Sequence, residues 1–178
     1  MRRSTYTDDT FTIAKAFDER VNLTPNKIAY REFNHLTEQW QSYSWSETRT
    51  LAASVQKWLT ELGIVAGDRI SLMLPNSVMW VAIDQAAAGL GIITVPLYPN
   101  DREDNVHYIL EKTDCCLLLI ATREQCELSK DFMQEIESLK NIVLTDEIEG
   151  VDLPALNTLI KKDQANSFQF DGCSYKDP

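Results

Sequence analysis

Apolar positions are densest between Asp68 and Tyr98, and their punctuation there predicts a β-α-β unit. Ile70 to Leu74 is a short apolar run that Pro75-Asn76 stops, and a helix opens at about Ser77. That helix is apolar almost all round (Val78 to Ile83, then Ala86, Ala87 and Leu90), which predicts burial rather than a single amphipathic stripe. Gly89 and Gly91 end it, and Ile92 to Leu97 reads as a β-branched strand stopped by Pro96 and Pro99. Two apolar strands joined by a crossover helix imply a parallel sheet covered on both faces.

The flanking pattern extends this unit. From Thr10 to Asn22, Ile13, Ala14, Phe17 and Val21 recur at helical spacing, with Asp8 and Asp9 at the end that the helix dipole favours. Ile28 to Phe33 alternates, a polar turn covers Asn34 to Gln39, and Trp40 to Ser44 follows. This predicts an antiparallel hairpin whose aromatics pack across the strands. Ser44-x-x-Glu47 is a capping box for a helix burying Leu51, Val55, Trp58, Leu59 and Leu62 before Gly63 closes it.

After the central unit, Asn100-x-x-Glu103 reads as a helix start, with Val106, Ile109 and Leu110 facing inward. Cys115 to Ile120 is a buried strand. Thr122-x-x-Gln125 caps a longer, partly interrupted helix with Leu128, Phe132, Ile136 and Leu139 on one face, and Asn141 to Leu144 is a further strand. A short helix is expected near Leu153 to Lys162. The sum is an α/β fold: an open, doubly wound, mainly parallel sheet with an N-terminal β-hairpin. Residues 1–9 read as a tail, 10–162 as the domain and 163–178 as a tail or linker. There is no internal repeat.

Composition narrows the function classes. The formal charge of −10 and pI near 4.6 argue against nucleic acid, whose phosphates would repel this surface. Arg2 and Arg3 have no apolar run behind them, so no secretory signal is expected, and no stretch suits a transmembrane helix. The expected location is cytoplasmic. Cys115, Cys116, Cys126 and Cys173 lack zinc spacing and read as free thiols, while His35 and His107 have no neighbour in sequence that suggests catalysis; no metal site is expected.

In open α/β sheets, ligands bind at the carboxyl ends of the strands. Asn76, Ser77, Tyr98, Asn100 and Asp101 occupy those ends and form the candidate site rim, although Asn and Ser are also ordinary turn and cap residues. Phosphate-binding motifs are absent: the glycines build no Gly-x-x-x-x-Gly-Lys loop, and Gly89-Leu-Gly91 precedes a strand instead of opening a helix. Neither Gly-x-Ser-x-Gly nor a Ser-His-Asp grouping is present, so no catalytic residue is assigned.

Five segments nevertheless follow one another in a telling order: Pro25-Asn-Lys-Ile-Ala-Tyr30, Ser42-Tyr-Ser-Trp-Ser-Glu47, Leu62-Gly-Ile-Val-Ala-Gly-Asp-Arg-Ile70, Leu74-Pro-Asn-Ser77, and Gly89-Leu-Gly-Ile-Ile-Thr-Val-Pro-Leu-Tyr-Pro-Asn100. In order and spacing they resemble the N-terminal portion of an AMP-dependent, adenylate-forming acyl-CoA synthetase. Trp80 to Gln85 and Pro96 to Asn105 look most like the long-chain fatty acid CoA ligases. The resemblance implies part of that family's N-terminal domain, with ATP, magnesium and CoA as cofactors and fatty acid and CoA as partners of the full-length enzyme. It also implies that a Ser/Thr/Gly-rich phosphate loop and the later catalytic groups lie beyond Pro178. The chain alone is therefore expected to bind no cofactor, to be inactive, and to self-associate through apolar surface meant for the remainder. A stand-alone binding or regulatory module of flavodoxin-like kind is the alternative.

Overall fold

The computed structural model describes residues 12–34, 37–160 and 168–169. Helix α1 (Ile13–Leu23) starts where Thr12 accepts a hydrogen bond from the Lys15 N–H, two residues inside the expected boundary. Asp8 and Asp9 lie outside the described residues. Strands β1 (Ile28–Asn34) and β2 (Gln39–Ser44) form the expected antiparallel hairpin, a two-stranded sheet of its own. Phe33 lies opposite Trp40, their rings 5.5 Å apart edge to face, so these aromatics do pack across the strands.

The Ser44–Glu47 capping box is formed in full and opens α2 (Trp45–Glu61). Accepting hydrogen bonds from Ser44 holds the Glu47 carboxyl below its ordinary pKa. Val55, Trp58 and Leu59 are buried as expected, whereas Leu51 is half-buried and Leu62, past the last turn, is exposed.

The central unit comprises β3 (Arg69–Met73), α3 (Val78–Leu90) and β4 (Ile93–Pro96). Gly91 ends α3 at φ 72°, a left-handed conformation that favours glycine. One flank of α3, including Met79, Trp80 and Val81, is only half-buried.

Beyond it come α4 (Glu103–Lys112), β5 (Cys115–Ile120), α5 (Arg123–Ser129), α6 (Phe132–Glu135), β6 (Asn141–Leu144) and α7 (Leu156–Leu159). Asn100 does not cap α4. The cap position is Arg102, and Asp101 turns back to accept from the Arg102 N–H at 2.9 Å and from Asn105 Nδ2 at 2.8 Å. The long helix expected after Thr122 is two short ones: the chain breaks at Lys130–Asp131 and is extended at Ile136, yet Phe132, Ile136 and Leu139 all reach the core. The final helix is shorter than expected.

Strands β3 to β6 form one parallel sheet in the order β4-β3-β5-β6. Alternate residues of its middle strands feed opposite cores. Leu117 and Leu119 join Ile83, Ala86 and Ala87 of α3 on one face. Leu118 and Ile120 join Val106 and Leu110 of α4 and Phe132 of α6 on the other. This is the doubly wound arrangement, buried on both faces. Among the described residues, no helix is long and apolar enough to cross a membrane.

Candidate functional site

The strand order locates the crevice. Connections leave β3 toward β4 and β5 toward β6, so the switch point falls between the carboxyl ends of β3 and β5. Asn76 and Ser77 flank it. Tyr98, Asn100 and Asp101 instead follow β4, the edge strand on the far side of β3, and Tyr98 is 82% exposed. The five rim residues are thus split between two loops.

Several groups lining the crevice are engaged within the chain. Ser77 accepts from the Trp80 N–H at 3.1 Å as the cap of α3. The first N–H of the helix, that of Val78, donates to the Glu32 carboxylate of β1 at 3.0 Å, so an anion already sits at this helix N-terminus. On the β5 side Gln125 is 3% exposed. Its Oε1 accepts from the Ala121 and Thr122 N–H groups, and its Nε2 donates to the Pro99 carbonyl at 2.9 Å. Thr122-x-x-Gln125 is legible in the sequence as a capping box, but its reach across to Pro99 is not.

Two open cavities border Glu32. One, of about 630 Å³, lies between β1 and the start of α3 and includes Tyr30, Arg31, Asn76, Ser77 and Trp80 in its lining. The other, of about 760 Å³, lies among the hairpin, α2 and α7, and includes Tyr43, Glu47, Thr50, Asp146 and Asn157. Burial pushes the Tyr43 hydroxyl pKa up, helped by the negative charges of Glu32 and Glu47. Glu47 is engaged by Ser44, and Asp146 by the Asn157 side chain at 2.9 Å.

The remaining candidate groups have structural partners. His107 Nε2 lies 3.3 Å from a Glu135 carboxylate oxygen, and its ring meets Phe132 edge on, partners that sequence spacing does not reveal. His35 and Cys173 lie outside the described residues. Cys115 is buried, Cys116 and Cys126 are half-buried, all three are free, and burial pushes each thiol pKa up.

At the start of α3 the Val78 and Trp80 N–H groups are engaged within the chain, and among the described residues no group of three or more His, Cys, Asp or Glu residues is placed to hold a metal ion.

Comparison with known proteins gives the site its context. The AMP-binding enzyme family matches residues 17–171. The chain belongs to that family. Its relatives include acyl-CoA ligase sidI of Aspergillus fumigatus, 32% identical over 103 residues that cover 57% of this chain and 18% of that protein. Another is the medium-chain fatty-acid–CoA ligase of Escherichia coli, 26% identical over 141 residues, covering 77% of this chain and 24% of the ligase. Among solved structures, an anthranilate CoA ligase in complex with anthranoyl-AMP superposes with a TM-score of 0.74 at 18% identity, over 95% of this chain and 31% of the ligase. The adenylate-forming fold is thus present in part: the chain spans no more than about a third of the lengths of these three family relatives.

Proposed function

We propose that this chain is the N-terminal part of a fatty acid CoA ligase and that, by itself, it catalyses neither half of the reaction. The observation that carries the reading is one of coverage, nearly all of this chain matching under a third of a CoA ligase. In the whole enzyme, ATP and a fatty acid would give an acyl-adenylate and pyrophosphate, and the CoA thiol would then take the acyl group and release AMP. Residues beyond this chain would hold ATP, magnesium and CoA, with 163–178 leading toward the phosphate loop. Similarity at Trp80 to Gln85 and Pro96 to Asn105 supports a long-chain acid.

The test is to express the longer reading frame that contains this chain and measure acyl-CoA formation from medium- and long-chain acids. Acyl-CoA formed preferentially from long-chain acids is expected. Failure with every acid would overturn the reading, and a medium-chain preference would overturn its chain-length part.

One observation favours the stand-alone flavodoxin-like module: the order β4-β3-β5-β6 is the order in which such sheets begin. Self-association is expected because β4 is a sheet edge paired on one side only among the described strands, with Ile93 40% exposed. Light scattering should show dimers or larger species growing with concentration, and a monomer throughout would contradict this.

A further inference from the structure

Phe168 and Gln169 lie in a groove formed by α1, α2 and α3. The Phe168 ring meets Phe17 edge on at 5.5 Å and completes a small core with Ala14, Val21, Ala52 and Ala82. One side chain engages both backbone groups of the next residue. The Gln169 N–H donates to Gln56 Oε1 at 2.8 Å, and its carbonyl accepts from Gln56 Nε2 at 2.7 Å. A side-chain amide thus supplies the paired contacts that one β-strand offers another. Gln56 is 3% exposed, and its Nε2 also donates to the Ala86 carbonyl at 3.2 Å, which ties the amide to α3 as well as to residue 169.

The seat exists because residue 89 is glycine. A Cβ there would come nearer than 3.0 Å to both the Gln169 carbonyl oxygen and Gln56 Nε2. Gly89 lies inside α3, where alanine is the better helix former, so local propensity gives no reason for glycine. The close approach of a second backbone does.

We propose that Gln56 and Gly89 form a backbone-reading latch that seats Phe168 and Gln169 across three helices and closes the small core beneath them. Opening it strips two hydrogen bonds from a buried amide and uncovers Phe17 together, so the latch is either shut or open as a unit.

Residue-resolved hydrogen exchange on the whole chain tests this. The Gln169 amide should exchange about a hundredfold slower than an open chain. Gly89→Ala should speed it about tenfold or more while the β5 amides stay protected. Gln56→Glu, which keeps the size and acceptors but removes the donor, should act in the same direction, and it decides the matter if Gly89→Ala also loosens β5. Open-chain exchange at Gln169 in the native protein would overturn the proposal. So would unchanged protection in a variant whose β5 remains protected.

Discussion

Leu119→Ala should remove about 3–4 kcal/mol of stability, a large part of the total for a domain of this size. Leu119 sits in β5, one of the two interior strands, facing Leu72 of β3 on one side and Val143 of β6 on the other. It is 0% exposed, and its side chain enters the core that α2 and α3 cover. Strands pinned on both sides and helices packed on both faces leave little freedom to collapse into the void, so the cavity term adds to the lost transfer energy. Urea unfolding should shift to a lower midpoint with the slope unchanged. A loss under about 1 kcal/mol would mean that β5 is not the packed interior strand described.

Glu32→Ala should act more locally but decisively. A two-stranded hairpin is marginal in water by itself. The contacts that hold the β1–β2 hairpin to the domain include Tyr30 against Trp45 at 5.8 Å and Glu32 on the Val78 N–H. The last sets a carboxylate at the positive end of α3, which is worth about 1–2 kcal/mol when partly buried. Removing it should lower global stability by about that amount and speed hydrogen exchange in the hairpin ahead of exchange in β5. Glu32→Gln keeps an acceptor without the charge and should fall between the two. Equal exchange in the hairpin of the native and Ala forms would show that the carboxylate does not anchor it.

Much of the fold was legible because its signals are local. Pro75-Asn76 and Gly91 bracket α3, and both capping boxes lie within three residues of their partners. Where local signals compete, sequence reading fails. Asn100 and Arg102 both precede α4, and Asp101, bonded to the Arg102 N–H and to Asn105, sets the start at Glu103. The apolar face of Leu128, Phe132 and Ile136 is periodic enough to suggest one helix, yet the chain breaks at Lys130–Asp131 and still buries Phe132 and Ile136.

The candidate site was less legible because pairing across the sheet decides it. Nothing within Asp68 to Tyr98 says that β5, rather than another strand, lies beside β3. Asn76 and Ser77 therefore flank the switch point, whereas Tyr98, Asn100 and Asp101 follow the edge strand β4. The Glu32–Val78 contact joins residues 46 apart, and the Gln56–Gln169 pair joins residues 113 apart. No periodicity carries such information. Family resemblance carries the fold, since order and spacing of short segments reflect it as a whole, but not these individual contacts.

As proposed, this chain is part of a ligase whose chemistry needs groups it does not contain. Pyrophosphate release from ATP, magnesium and a long-chain fatty acid, measured with the purified chain, tests it most directly. No release above a protein-free blank is expected. Turnover that rises in proportion to the concentration of the chain would contradict the account.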